Sequence, residues 1–176
     1  IANTKLYVNR KEGFVGSSLK KDEFVTECSD IDNIIVFKKD GSMIVTKVSD
    51  KTFVGKDIIH VDVWKKNDER TTYNMIYMDG ASGIVYAKRF NVVGITRDKE
   101  YSLVKTEKGS KVLYFTANPN GEAEVVSVTL SPGSNARIKV FDYYFEELGI
   151  KGRSSAGNQV TKYPVRQVKF KEQGRS

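Results

Sequence analysis

Side chains that could carry acid, base or nucleophilic chemistry are few: His60 is the single histidine and Cys28 the single cysteine in 176 residues. A Ser-His-Asp arrangement would have to be built on His60. That residue sits in the alternation Ile58-Ile59-His60-Val61-Asp62-Val63 with no nucleophile motif beside it, which predicts a strand residue and not a base. One cysteine excludes an internal disulfide and a multi-cysteine zinc site, and fits a reducing compartment. The carboxylates are scattered. No catalytic residue and no metal site are therefore expected. Cations are abundant instead: 29 Lys and Arg against 22 Asp and Glu give a formal charge of +7. Their chemistry is anion contact, so a polyanionic partner is expected.

The excess charge is uneven. Residues 1–150 hold 22 basic and 21 acidic side chains, whereas residues 151–176 hold seven basic ones and a single acid, Glu172. Candidate contact residues are Arg10, Lys11, Lys20, Lys21, Lys88, Arg89, Arg97, Lys151, Arg153, Lys162 and Arg166, with the last four the strongest. Arg153 stands out because Gly152 and Gly157 bracket it, a backbone able to approach a phosphate closely. Lys88 and Arg89 are neighbours on one strand, whose side chains alternate, so one of the two is expected to face the partner. Arg97 precedes Asp98, Lys99 and Glu100 and has local partners to hand, and the pairs Lys38-Lys39 and Lys65-Lys66 flank turn residues and read as solvated tips. Residues 169–176 are expected to form a flexible basic tail.

The elements that must position these residues are strands. Short β-branched and aromatic runs bounded by Gly, Asp and Asn recur along the chain. Three hairpins are predicted: Ile34-Ile35-Val36-Phe37 turning at Asp40-Gly41 into Met43-Ile44-Val45; Met75-Ile76-Tyr77-Met78 turning at Asp79-Gly80 into Ile84-Val85-Tyr86; and Val112-Leu113-Tyr114-Phe115 turning at Asn120-Gly121 into Val125-Val126-Ser127-Val128. An earlier one runs from Leu6-Tyr7-Val8 through Glu12-Gly13 into Phe14-Val15. The turn glycines at 41, 80 and 121, followed by Gly157-Asn158, give a period near 40. Such a period in short strands predicts an all-β, propeller-like array of about four antiparallel blades forming one domain over residues 1–176. Residues 131–135 (Ser-Pro-Gly-Ser-Asn) read as a loop, and residues 141–148 as either a short helix or a strand. No apolar run reaches membrane-spanning length, and the start at Ile1-Ala2-Asn3 reads as a fragment of a longer chain without a signal peptide.

In its succession of such blades the sequence resembles the C-terminal β-pinwheel of bacterial type IIA topoisomerase A subunits. The resemblance is carried by residues 32–37 through Lys47, by Tyr73-Asn74-Met75-Ile76-Tyr77 through Tyr86-Ala87-Lys88-Arg89-Phe90, by residues 111–115, and by residues 150–160. Gyrase A subunits carry a glycine-rich basic box led by Gln that wraps DNA. The nearest matches here are Lys151-Gly152-Arg153-Ser154-Ser155-Ala156-Gly157 and, more weakly, residues 10–16, and both lack the Gln. The resemblance therefore implies topoisomerase IV before gyrase. It further implies non-sequence-specific binding and bending of double-stranded DNA, presented to a catalytic core for ATP-dependent topology change. The catalytic tyrosine, ATP and Mg²⁺ would belong elsewhere in the parent enzyme, and this domain would need no cofactor. Implied partners are the breakage-reunion domain of the same chain and the B subunit, with no membrane, a cytoplasmic, nucleoid-associated location and a monomeric isolated domain. The alternative is a propeller-type protein-interaction module that does not bind DNA.

Overall fold

The computed structural model describes residues 1–174 as sixteen strands and one 3-10 turn, all-β as the patterning requires. It divides into two compact units, Ile1–Asp68 with Val93–Ser102, and Glu69–Val92 with Leu103–Ser176. Each holds two small antiparallel-rich sheets, four blade-like sheets in all, the number expected for a pinwheel array.

In the first unit, one sheet orders β3 (Glu23–Cys28), β1 (Thr4–Asn9), β2 (Phe14–Gly16) and β6 (Thr52–Phe53). The other orders β10 (Glu100–Ser102), β5 (Ser42–Lys47), β4 (Asn33–Lys38) and β7 (Ile58–Trp64). The Asp40-Gly41 hairpin pairs β4 with β5 as predicted, Gly41 adopting φ +86°, and Glu12-Gly13 joins β1 to β2. Alternate residues of these strands point inward, so Leu6, Val8, Val15, Ile34, Val36, Ile58 and Val61 form one apolar core.

In the second unit, β11 (Lys111–Asn118), β8 (Thr72–Met78), β9 (Val85–Asn91) and β14 (Ile150–Gly152) form a sheet, to which β15 (Asn158–Thr161) also pairs through β9. The fourth sheet orders β13 (Val140–Tyr144), β12 (Val125–Leu130) and β16 (Val165–Glu172). The second unit's core gathers Ile76, Val85, Ala87, Val126, Val128, Leu130 and Phe145.

Three expectations change. The strands flanking Asn120-Gly121 are not a hairpin: β11 pairs with β8 and β12 with β13 and β16. The turn is present, Gly121 at φ +70°, but it passes the chain from one sheet to the next, a distinction that local turn chemistry does not encode. Residues 141–148 are both strand and helix, β13 followed by a 3-10 turn over Phe145–Glu147. The expected tail is strand as far as Glu172, with Lys169 opposite Ser127 and Glu172 opposite Val125 on β12. Residues 175–176, which include the tail's Arg175, lie outside the described residues. The loop at residues 131–135 is found where predicted, linking β12 to β13.

Candidate nucleic-acid interface

The arrangement centres on β9. Strand β8 lies along one side of it, antiparallel. Along the other side lie two short strands: β14 runs parallel beside Arg89, Phe90 and Asn91, and β15 runs antiparallel beside Val85, Tyr86 and Ala87. Lys88 is the residue left between the two pairings. The chain from β14 to β15 is the glycine-bracketed basic segment, so it arches over Lys88 as a loop.

Lys88, a contact candidate by sequence, is instead internal, with 2% of its surface exposed. Its Nζ donates to the carbonyl oxygens of Arg153 at 2.7 Å, Ser155 at 2.6 Å and Leu103 at 2.8 Å, and lies 4.9 Å from the Phe90 ring centre. An ammonium has three protons to give, and all three find acceptors. Burial, reinforced by the Arg153 charge, pushes its pKa down to about 8. Two further contacts hold the loop. The Tyr77 hydroxyl donates to the Ala156 carbonyl at 2.6 Å. Gly157 takes φ +94°, and a Cβ there would stand 2.5 Å from the Ala87 carbonyl oxygen.

Arg89 is buried too, against the same expectation. Its guanidinium donates to Asn74 Oδ1, to the Gly121 carbonyl at 2.9 Å and, at 3.4 Å, to the Leu148 and Glu122 carbonyls. Desolvation lowers its pKa, and the charge of buried Glu124 works against that shift. Alternation would leave one of Lys88 and Arg89 outward only if β9 had a solvated face. Both of its faces are covered.

The four strongest candidates all belong to the second unit. Lys151 is exposed on β14, and Arg153 is half-buried at the crown of the loop. Lys162 is exposed in the turn after β15, its Nζ 5.8 Å from the Tyr163 ring centre. Arg166 is exposed on β16. That strand adds Lys169 and Lys171 of the expected tail; Lys171 pairs with Asp142 across the sheet at 2.5 Å. The second unit holds 15 Lys and Arg against nine Asp and Glu, the first 14 against 13.

In the first unit, Arg10 forms a two-pronged ion pair with Glu23 and donates to the Ile59 carbonyl at 2.6 Å. The pair raises the Arg10 pKa and lowers that of Glu23. Lys11 is exposed and lines one cleft with Arg10, Lys39 and Asp57. Lys39 is a solvated tip as expected, but Lys38 is buried and paired with Glu100 at 3.0 Å. Lys20 and Lys21 are exposed in the turn before β3. Arg97 stands 4.0 Å from Asp98 and donates to Asn33 Oδ1 at 3.4 Å.

Among the described residues no three His, Cys, Asp or Glu side chains gather as a metal site. No helix among them is long and apolar enough to cross a membrane.

Two comparisons bear on this arrangement. The family model described as topoisomerase C-terminal domain, Bacteroidota, matches residues 5–173. The A subunit of DNA topoisomerase 4 from Borreliella burgdorferi is 29% identical over 170 residues, covering 96% of this chain. The chain spans about a quarter (25%) of that relative's length. Four blade-like sheets and a family match from Lys5 to Gln173 agree: this chain belongs to the topoisomerase C-terminal domain family, the C-terminal domain of a type IIA A subunit.

Proposed function

We propose that this domain binds double-stranded DNA without regard to base sequence and bends it, as the C-terminal domain of a topoisomerase IV A subunit, or less favourably of gyrase. Charge placement carries the reading: the unbalanced cations collect in the second unit, with Lys151 on β14, Arg153 on the loop over β9, and Lys162 and Arg166 just beyond it. Lys and Arg displace condensed counterions from a duplex whatever its bases. Bending a site of 20–30 base pairs costs about 1–6 kcal/mol, which phosphate contacts must offset.

In this reading the domain presents a DNA segment to the breakage-reunion domain, in a complex with the B subunit, and supplies no catalytic group itself. ATP and Mg²⁺ serve other domains, the catalytic tyrosine lies outside this chain, and the isolated domain is a cytoplasmic, nucleoid-associated monomer without a membrane partner. The box lacks its leading Gln, so modest bending is expected in place of tight chiral wrapping.

The test is a mobility shift of a short duplex across a salt series, for the wild type and for the quadruple variant K151E/R153E/K162E/R166E. Weaker binding to every sequence and a shallower salt slope are expected. An unchanged slope removes this surface from the reading. Salt-insensitive or absent duplex binding by the wild type overturns it in favour of a protein-interaction module. Religation of nicked circles on the domain reads out the bend as a change in writhe.

A further inference from the structure

The buried Lys88 ammonium is not accounted for by surface contact with DNA. Covering an ammonium is costly unless its protons are satisfied, and a hydrophobic residue of similar length would fill the same space at lower cost. Here all three acceptors are main-chain carbonyls, and two of them, Arg153 and Ser155, belong to the basic loop. The third, Leu103, ties the loop to the segment that precedes β11. Because β14 and β15 leave β9 at Lys88, no ladder hydrogen bond holds the crown of the loop there.

We propose that Lys88 is the positioning residue of the basic loop, its clamped ammonium setting the backbone conformation that offers Arg153 and Lys151 to a DNA phosphate. The inference rests on the DNA-binding reading for its consequence and on the geometry alone for the positioning.

A proton linkage follows. The charged and titratable groups on the elements packed about Lys88 include Arg153 in the loop, Lys151 on β14, Arg89 and Tyr86 on its own strand, Tyr77 on β8, and Lys105 on the segment that supplies the Leu103 carbonyl; β15 contributes the neutral Asn158 and Gln159. Of these, Arg153 is the charge that depresses Lys88, alongside burial. A phosphate against Arg153 cancels that repulsion, so the pKa of Lys88 is higher in the complex than in the free domain. A group whose pKa rises on binding favours the complex fully below its free value, and that advantage is lost as pH climbs through the window above it. For Lys88 the window opens at about 8.

Three proteins test this over the full chain: wild type, K88M, which keeps the length without the charge, and K88R, which stays protonated throughout. Near neutral pH, K88M is expected to bind a short duplex about tenfold more weakly, with partial recovery in K88R. Between about pH 7 and pH 9 the affinity of wild type declines and those of both variants do not, after allowing for the ordinary Lys pKa of about 10.4. Amide exchange of residues 152–157, measured without DNA, is faster in K88M. Equal affinity for K88M and wild type, or parallel pH profiles, overturns the inference. If K88M does not fold, K88R against wild type decides through the same profiles. If no protein binds the duplex, the DNA reading falls, and loop exchange alone decides positioning: faster in the variant upholds it, unchanged overturns it.

Discussion

Asn74 and Arg89 face each other across the β8–β9 ladder, and Arg89 Nε donates to Asn74 Oδ1 at 3.0 Å inside the second unit. Asn74 in turn donates to buried Glu124, whose carboxylate also accepts from the Tyr114 and Thr116 hydroxyls. The guanidinium and carboxylate thus share one cross-strand amide. Desolvation, with the Glu124 carboxylate beside it, pushes the Tyr114 hydroxyl well above its usual range.

Removing one member of such a network strands the others. Arg89→Met is expected to destabilise the domain by about 3–5 kcal/mol, because the buried Glu124 carboxylate loses its cationic neighbour while Asn74 Oδ1 and the Gly121 carbonyl lose their guanidinium donor. Urea denaturation reads this as a lower midpoint. A loss under about 1 kcal/mol would show that the network contributes little net stability.

The exposed pair Arg10–Glu23 should behave differently. Both side chains are about half exposed (42% and 51%), so Glu23→Gln is expected to cost no more than about 1 kcal/mol. The folded-state pKa of Glu23 is depressed, so its contribution is present above the ordinary value of 4.5 and is lost as pH falls through the folded value. Acid titration of stability should therefore lose part of its slope in the variant. The same substitution frees the Arg10 charge, and a slightly steeper salt dependence of duplex binding is the outcome to look for.

His60 on β7 packs 5.9 Å from the Phe37 ring, and burial lowers its pKa below 6.5. The folded protein resists protonating it. Stability from this group is complete above about pH 6.5 and is lost as pH falls towards the folded value, since the unfolded chain then binds more protons. His60→Gln should flatten that segment of the stability profile, as measured by chemical denaturation at a series of pH values.

At Gly157 an alanine meets both a left-handed backbone and the Ala87 carbonyl. Gly157→Ala should cost about 1–3 kcal/mol and displace the loop from β9. Protease susceptibility confined to residues 152–157 is the signature expected. A uniformly destabilised domain with a protected loop would point to strain spread through the sheet.

Much of the fold was legible in the residues. Alternation and Asp-Gly turns located β4, β5, β8 and β9, because a hairpin is encoded by neighbours in sequence. The partners of β12 were not legible, since they come from residues 140–144 and 165–172 and local turn chemistry is silent about them. The same limit hid the fate of Lys88 and Arg89. In sequence they are a basic pair on a strand. Only the return of β14 and β15 from some 60 residues downstream covers the strand and turns two candidate contacts into internal pins. The signal was nearby: Tyr86, Ala87 and Phe90 leave β9 no polar face, and a lysine in a strand without one must find partners inside. Lys151, Lys162 and Arg166 stay exposed at a strand, a turn and a strand start, whereas Arg153 between its glycines is half-buried.

The placement of β10 has a consequence for how the chain can be made and cut. The first unit is finished by Glu100–Ser102 adding to the edge of β5, after β8 and β9 of the second unit have already been laid down in sequence. A ribosome that has released only residues 1–68 has delivered a unit with that edge bare. The nascent first unit must wait through two strands belonging to its neighbour. Nor does a single cut yield two whole halves: cleavage anywhere from Asp68 to Glu100 takes the closing strand from one unit or the opening strands from the other.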